Sequence, residues 1–385
     1  MNTEKKKRRI ALVVGAGFVP GINAVIKGAA TAAAQLGWEV VGIRDGFAGL
    51  LQPELYADGG LIDLNSQVVE TLDPSAGCIL GQSARVDPFS VRRLDELEMI
   101  EDVDMSDELL AKLKQERIDA LIGVVGGQGM SILYKLHLKG LNTVCVPRSI
   151  DNDIAPTTAS FGFNTALGFT IEMVDRARLA AQAARKIAVV EVQGTQVGWV
   201  ALQAGIAAGA DAILIPEIPG DIRKVAARLR ERISPARPYG LVVVAEGARL
   251  LGSTNSPEKE STLKASLSPL AFGDNSTHVI QRSGHAAETV ARELQLQIAE
   301  ETYPLVVGPW VRGGTPTAVD RQLGMAYGAG AIQALEAGRE GVMVAFNPPK
   351  TEFLALADTI NKIRTVPPDG MFMTLAASLG INFGQ

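Results

Sequence analysis

Two carboxylates stand two positions apart in the segment 149–153, which reads Ser-Ile-Asp-Asn-Asp. The segment follows a mostly apolar run at 141–146 that is typical of a strand. In an open α/β sheet, ligands bind at the carboxyl ends of the strands. A carboxylate there can take a proton from a hydroxyl group or hold a metal ion. Taken alone, however, Asp-Asn-Asp is more often a polar turn. Whether it is a functional site therefore depends on the other segments of the sequence.

Glycine-rich turns follow two other apolar runs. The first turn, Gly-Ala-Gly at 15–17, separates the strand-like run 9–14 from a helical pattern at 24–36. The second, Gly-Gly-Gln-Gly at 126–129, follows the run 118–125 and also opens a helical pattern. Such turns let a phosphate approach backbone N–H groups at a helix N-terminus. The first turn lacks the spacing of a Walker loop and the third glycine of a dinucleotide fingerprint, so a ligand-free strand–helix turn fits it equally well.

The order of apolar runs and helical patterns predicts parallel sheets with polar loops at their carboxyl ends. A second series of the same kind starts at residues 187–192. Residues 95–115 are acidic and have the pattern of a helix, whereas 251–283 are rich in Ser, Thr, Asn and Pro. We therefore expect an α/β protein with two similar halves and a loop or insertion at 251–283.

Composition narrows the choice of partners. The 385-residue chain is 47% hydrophobic and 21% charged, which is ordinary for a globular protein. Its net charge of −5 argues against nucleic acid as a partner. Because no apolar run reaches the ~18 residues of a membrane helix, we expect no membrane partner. Cys78 and Cys145 lie in apolar contexts and are predicted to be buried thiols in a reducing compartment, which indicates a cytoplasmic protein.

Several ordered segments together carry a resemblance to a known family. They read Pro-Gly-Ile-Asn (20–23), Ile-Arg-Asp-Gly (43–46), Gly-Gln-Ser-Ala-Arg (81–85), Gly-Gly-Gln-Gly (126–129), Ser-Ile-Asp-Asn-Asp (149–153), Phe-Gly-Phe-Asn-Thr-Ala (161–166), Ala-Glu-Gly-Ala (245–248) and Arg-Gly-Gly-Thr-Pro-Thr (312–317). With these segments the chain resembles the phosphofructokinase family, whose members phosphorylate fructose 6-phosphate at its 1-hydroxyl. The resemblance extends from about residue 9 to about residue 335.

The resemblance implies a fold and a division into domains. Phosphofructokinases have two similar Rossmann-like three-layer α/β/α domains with parallel sheets, and their active site lies in the cleft between them. On this chain the donor domain for ATP or pyrophosphate would span 1–162 plus 312–362. The acceptor domain for the sugar phosphate would span 163–311 plus 363–385, with 251–283 as a loop or insertion.

The resemblance also implies roles for individual residues. The catalytic group would be Asp151 as the base, Asp153 beside the metal and phosphates, and Ser149 as the preceding hydroxyl. The donor phosphate or nucleotide would be bound by Gly17, Arg85, Gly127, Gln128, Gly129 and Arg148. The acceptor would be bound by Gln193, Gly194, Glu246, Arg312, Lys186 and Tyr303.

Some positions depart from the family pattern. For the donor, Gln128 replaces an aspartate that is a magnesium ligand, and Phe18 replaces another aspartate. For the acceptor, an arginine is replaced by Thr195 and a sugar-phosphate histidine falls on Pro309. Two arginines that reach across from a neighbouring subunit in the family fall on Tyr303 and Lys186.

The binding free energy lost at the acceptor positions indicates how well the chain can use fructose 6-phosphate. A charge-assisted hydrogen bond is worth roughly 1.5–3 kcal/mol. Losing three of them, at Thr195, Pro309 and Tyr303, would total about 5–9 kcal/mol if they were additive, which they need not be. Even the low end is more than roughly a thousandfold in binding. Efficient use of fructose 6-phosphate in the usual pose is therefore not expected.

Two hypotheses follow. The chain is a phosphotransferase that passes phosphate from ATP or pyrophosphate to a hydroxyl of a sugar phosphate or related acceptor, with weak or altered use of fructose 6-phosphate. The alternative is a catalytically impaired phosphofructokinase paralogue that acts as a regulatory partner or a ligand sensor. Since one fold hosts both roles, the residues alone leave the choice open.

Cofactors and partners complete the prediction. Gly129 leaves room for a nucleotide where pyrophosphate enzymes have an aspartate, which favours ATP over pyrophosphate. Arg148 stands where pyrophosphate enzymes and some ATP enzymes carry lysine. Mg²⁺ would bind at a weakened site with Asp153 as its carboxylate. The family implies a homo-oligomer, a dimer or a tetramer, and a hetero-oligomer with an active phosphofructokinase is the assembly that the alternative requires.

Overall fold

Alternating apolar strands and helices build the two units into which the chain divides. The computed structural model describes residues 7–75, 77–82, 86–94, 100–251 and 285–385. Unit 1 comprises residues 1–150, 154–164 and 313–363, and unit 2 comprises 151–153, 165–312 and 364–385. Arg85 and, apart from Leu251, the predicted loop or insertion at 251–283 lie outside the described residues.

Strands and helices are numbered here in chain order. The strands are β1 (Arg9–Val14), β2 (Glu39–Ile43), β3 (Leu61–Asp63), β4 (Val86–Asp87), β5 (Ser90–Leu94), β6 (Ile100–Val103), β7 (Ala120–Val125), β8 (Thr143–Ser149), β9 (Phe161–Gly162), β10 (Ile187–Val192), β11 (Ala212–Leu214), β12 (Gly240–Ala245), β13 (Thr302–Val306), β14 (Val342–Asn347) and β15 (Lys350–Ala355). The helices are α1 (Ile22–Gln35), α2 (Ala48–Leu51), α3 (Ser66–Thr71), α4 (Ser106–Gln115), α5 (Gly127–Leu138), α6 (Phe163–Ala184), α7 (Trp199–Ala208), α8 (Ile222–Arg232), α9 (His285–Gln295), α10 (Ala318–Glu336), α11 (Leu356–Thr359) and α12 (Met371–Ser378). Short 3₁₀ turns lie at Pro53–Leu55 and Gly308–Arg312.

The main sheet of unit 1 has the strand order β15-β14-β8-β7-β1-β2-β3, with β9 beside β8. Its inner pairs are parallel, and only the outermost pairs, β14–β15 and β2–β3, are antiparallel. Every residue of β7 is buried, as are all residues of β1 after Arg9. These strands are runs of Val, Ile, Leu and Ala because a parallel strand is covered on both faces.

The register of this sheet positions three loops. Val14 at the end of β1 pairs with Val124, and Val125 at the end of β7 pairs with Pro147 of β8. The turn at 15–17, the turn at 126–129 and the end of β8 therefore meet at one edge of the sheet. The sequence predicted this convergence.

Unit 2 has a fully parallel sheet with the strand order β11-β12-β10-β13. The central strands β10 and β12 are buried along their whole length. Aliphatic side chains from the sheet pack against α8 and α9 to form the core on one face, including Val189, Val244, Leu229 and Val290. Because Val192 pairs with Ala245, the two loops that follow these strands lie next to each other. Both units are thus mixed α/β with mainly parallel sheets, which confirms the predicted fold class.

The acidic segment at 95–115 differs from the prediction. Residues 100–103 form β6, and the helix α4 begins only at Ser106. Strand β6 belongs to a three-stranded antiparallel sheet with β4 and β5. In that sheet Asp102 is opposite Arg92, with Oδ1 3.6 Å from Nε. Such cross-strand pairs favour a strand over the helix that local pattern suggests.

A membrane-spanning helix requires both length and high hydropathy. Within the described ranges, none is both long enough and apolar enough to cross a bilayer.

The two cysteines are free thiols in unit 1. Cys145 lies in β8 without solvent exposure, and Cys78 is partly buried in the turn before Gly81. Burial raises the pKa of the Cys78 thiol to about 11 and raises the pKa of Cys145 as well. Because the thiolate is the reactive form, both groups are expected to be poor nucleophiles.

We expect native Cys78 to react with iodoacetamide at pH 8 roughly a hundredfold more slowly than an ordinary thiol, because its pKa is raised from 9.0 to about 11. Timed alkylation followed by peptide mass spectrometry measures the rate. The urea-denatured chain is the control, in which both cysteines should react at the ordinary rate. A native rate within threefold of that control would show that Cys78 is not shielded.

Candidate active site

The first glycine turn of unit 1 is held by a hydrogen bond from a buried arginine. Gly17 has φ of 86°, a left-handed conformation that glycine adopts without strain. The guanidinium of Arg148, whose residue is only 4% exposed, donates a hydrogen bond to the Gly17 carbonyl oxygen. Arg148 was predicted to bind the donor. In the structure it supports the loop that would bind it, and its role toward a donor stays a prediction.

The second turn leaves the N-terminus of α5 open. A side chain built at Gly127 would meet nothing within 4 Å, and both Gly127 and Gln128 are exposed. The first turn of α5 contains no acidic residue. Its free N–H groups and the helix dipole therefore suit an anion such as a phosphate.

Gly129 has a packing reason to be glycine. A Cβ at this position would lie 2.4 Å from Cβ of Val125, at the end of β7. Any side chain here would force the helix away from the strand. The absence of an aspartate at 129 therefore follows from helix–strand packing as well, and it is a weaker sign of ATP use than the sequence suggested.

Asp151 has an unusual environment within unit 2. Its Oδ1 is shielded from solvent, although the residue as a whole is partly exposed. Burial raises the pKa of Asp151 to about 7; the charges of Asp153 and Glu246 raise it further, and Arg312 lowers it. A carboxyl whose pKa lies near neutrality is suited to exchange a proton with a hydroxyl group. This arrangement fits the role predicted for Asp151 as the base.

The loops after β10 and β12 meet at Glu246. Its Oε1 accepts a hydrogen bond of 2.7 Å from Oγ1 of Thr195, and its Oε2 accepts one of 3.2 Å from Nε2 of Gln193. Between them Gly194 has φ of 137°. Both oxygens of the carboxylate are thus engaged by neutral donors, and no guanidinium competes for them at position 195.

Lys186 and Tyr303 lie elsewhere in the same sheet. Lys186 precedes β10, and Tyr303 pairs with Ala188 near the start of that strand. At ~3.3 Å per residue, this is roughly 15 Å from the end of β10. Nζ of Lys186 is 2.5 Å from Oε2 of Glu301, and the Tyr303 hydroxyl donates to the Ala177 carbonyl oxygen at 3.3 Å. The structure therefore does not bring these two residues to Glu246 within one chain.

The acidic side chains bear on where a metal ion could bind. Among the described residues, no three His, Cys, Asp or Glu side chains come together as a metal-binding group. Mg²⁺ commonly takes one or two carboxylates and completes its shell with substrate phosphates and water. Asp153, a partly exposed carboxylate, fits such an open site, while exposed Gln128 offers only an amide oxygen.

Arg364 is a residue that the sequence did not single out. Its backbone N–H donates to the Asp153 carbonyl oxygen at 2.7 Å, and its Nη1 donates to the Asn152 carbonyl oxygen at 3.3 Å. The partners are more than 200 positions apart in the chain, and no local pattern marks the contact.

Unit 1 carries glycine turns, and unit 2 carries carboxylates and polar loops, at the carboxyl ends of parallel strands. These features define the class of α/β proteins that bind their ligands at that edge of the sheet.

Comparison with known proteins identifies the family within this class. The family model for phosphofructokinase matches residues 9–335. An ATP-dependent 6-phosphofructokinase of Chloroflexus aurantiacus is 36% identical over 381 residues, covering 99% of both chains. ATP-dependent 6-phosphofructokinase 2 of Clostridium perfringens is 35% identical, covering 98% of this chain and 99% of its own. The chain belongs to the phosphofructokinase family and is a kinase.

A solved structure shows the same fold. The pyrophosphate-dependent phosphofructokinase of Marinobacter aquaeolei superposes with a TM-score of 0.71 at 19% sequence identity. The match covers 98% of this chain and 89% of that one.

Replacing Asp151 by Asn should stabilise the protein at pH 8. The folded-state pKa is raised to about 7, so ionising Asp151 costs folding free energy as the pH rises from about 4 to 7. The neutral amide avoids that cost, and the free energy of unfolding should increase by about 1–3 kcal/mol at pH 8. Urea unfolding at pH 8 and pH 5 measures the difference, which should shrink at pH 5. A destabilised variant at pH 8 would mean that the Asp151 carboxylate is favourably bound in the folded protein.

Proposed function

We propose that this kinase transfers the terminal phosphate of ATP to a hydroxyl of a sugar phosphate or related acceptor, and that it uses fructose 6-phosphate weakly. The environment of Asp151 carries the proposal. Its pKa of about 7 allows it to be ionised at neutral pH and to accept the proton of the attacking hydroxyl. The hydroxyl oxygen attacks the terminal phosphorus while the bond to the leaving ADP breaks.

Unit 1 would bind the donor. The open N-terminus of α5 and the turn braced by Arg148 suit the phosphates of a nucleotide. The curated relatives named above are ATP-dependent and align over nearly their full length. Mg²⁺ bound with the donor would be held by Asp153, and its charge would neutralise the phosphate oxygens.

Unit 2 would bind the acceptor. Glu246 is held by Thr195 and Gln193, and it offers hydrogen-bond acceptors to sugar hydroxyl groups. Arg312 is the cation next to Asp151 and would bind a phosphate of the acceptor. Position 309 is an exposed proline, which offers neither an N–H donor nor a charge. With Arg312 as the cation that acts on Asp151 and a proline at position 309, unit 2 favours an acceptor with less charge, or a different pose, than the usual fructose 6-phosphate.

Assembly is part of the proposal. Lys186 and Tyr303 lie away from Glu246 within the chain, so they would contribute to an acceptor site only from another subunit. We therefore propose a homo-oligomer, a dimer or a tetramer, in which these residues approach the acceptor site of a neighbour. A tyrosine at such a position also packs well in an interface.

A coupled assay of ATP and of pyrophosphate against free sugars and sugar phosphates tests the proposal. We expect turnover with ATP as the donor, and we expect at least one other acceptor to be used better than fructose 6-phosphate. The Asp151→Asn variant should lose ~10²–10⁴-fold in kcat. Turnover with pyrophosphate alone would overturn the assignment of the donor. No turnover on any acceptor, or full activity in Asp151→Asn, would overturn the catalytic role and favour the impaired paralogue.

A second experiment tests the acceptor site. Thr195→Arg combined with Gln128→Asp should raise kcat/KM for fructose 6-phosphate by at least tenfold, because one charge-assisted contact is worth roughly 1.5–3 kcal/mol. Thr195→Leu with the same Gln128→Asp is the matched control, since it adds bulk without charge. Equal effects of Arg and Leu would show that the lost cation does not limit the use of this sugar phosphate.

A further inference from the structure

The loop at 151–153 contains a left-handed turn that is hydrogen-bonded to another part of unit 2. Asn152 has φ of 57°, in the left-handed region that only short polar residues and glycine visit easily. The carbonyl groups of Asn152 and Asp153 both accept hydrogen bonds from Arg364. One residue, distant in sequence, thus binds two successive peptide groups of the loop.

Arg364 is itself fixed by Trp199, the first residue of α7. The guanidinium lies over the indole ring, with Cζ 4.1 Å from the ring centroid. The indole Nε1–H donates to the Arg364 carbonyl oxygen at 2.8 Å. Trp199 is 5% exposed and therefore provides a rigid support. A planar guanidinium stacks on an aromatic face, whereas a lysine ammonium cannot do so in the same way.

Glu217 anchors the same segment on its other side. Its Oε1 accepts hydrogen bonds from the N–H groups of Val366, at 2.9 Å, and Gly198, at 3.1 Å. A Cβ at Gly198 would collide with Ile215, so this end of α7 is packed closely. The segment 364–366 is therefore attached to α7, which begins just after the loop 193–196.

From these contacts we propose that Arg364, stacked on Trp199, is a positioning residue that holds the 151–153 loop so that the Asp151 carboxylate is aimed at the acceptor hydroxyl. This inference rests on the proposed function. The contacts of Arg364 to the loop are hydrogen bonds to backbone carbonyl oxygens, which position the loop. Loss of Arg364 should therefore affect the chemical step, which is sensitive to shifts of about 1 Å in the base.

Arg364→Ala should lower kcat by about tenfold to a hundredfold and change KM for ATP and for the acceptor by less than threefold. Arg364→Lys keeps a cation and one donor but loses the planar stack, so it should recover part of kcat. Trp199→Phe keeps a ring beneath the guanidinium and removes the indole donor. Its kcat should lie between that of the wild type and that of Arg364→Ala.

Arg237→Ala is the matched control for a loss of stability. Arg237 lies over the Tyr239 ring, with Cζ 4.5 Å from the centroid, and its side chain pairs with Asp211 in the same unit. Among the described residues, the Arg237 side chain donates to the Tyr239 carbonyl oxygen and to Asp211, and neither residue belongs to the 151–153 loop. Arg237→Ala should lower the melting temperature at least as much as Arg364→Ala while leaving kcat within twofold of the wild type.

Hydrogen exchange separates this inference from the proposed function. In Arg364→Ala, peptides that cover 150–155 should exchange at least tenfold faster than in the wild type, and in Arg237→Ala they should not. Unchanged exchange, or a kcat for Arg364→Ala within twofold of the wild type, would overturn the positioning role. If the wild type shows no turnover, the proposed function fails. Faster exchange in Arg364→Ala would still support the role of Arg364 in holding the 151–153 loop, and unchanged exchange would overturn it.

Discussion

A carboxylate withdrawn from water is the feature on which the proposed chemistry of this protein depends. An aspartate at the surface has a pKa near 4 and is a weak base at neutral pH. Burial of Asp151 disfavours its charged form, and two neighbouring carboxylates act in the same direction. Arg312 opposes them and keeps the group within reach of ionisation. The balance of these effects gives a carboxyl group whose pKa lies near neutrality, as its proposed role as a base requires.

The contacts of Glu246 support the proposal that the acceptor site of this phosphofructokinase fold is modified. Glu246 is fixed by Thr195 and Gln193, two neutral donors, at the ends of paired strands. Such a carboxylate recognises hydroxyl groups with good geometry and adds no positive charge for a second phosphate. The proposed base and the proposed acceptor contacts can therefore change separately, because Asp151 follows β8 and Glu246 follows β12, and these strands belong to different sheets.

The sequence predicted much of the scaffold. Buried parallel strands appear as continuous apolar runs, and their periodicity located most strands and helices to within a few residues. It was wrong for 100–103, where a cross-strand pair with Arg92 favours a strand. The interpretation of Gly129 from the sequence was also incomplete, because its close packing against Val125 cannot be inferred from a motif.

By itself, the sequence determined the family and the α/β class with mainly parallel sheets, and it predicted the roles of Asp151 and Asp153, since all of these depend on local composition and on the order of motifs. Only the tertiary structure decided that Arg148 braces the first turn, that Lys186 lies at the opposite end of its strand from Glu246, and that Arg364 binds the 151–153 loop. These facts arise from contacts between residues far apart in the chain. Such contacts are set by strand register and by packing, and neither leaves a mark on the residues near any one motif.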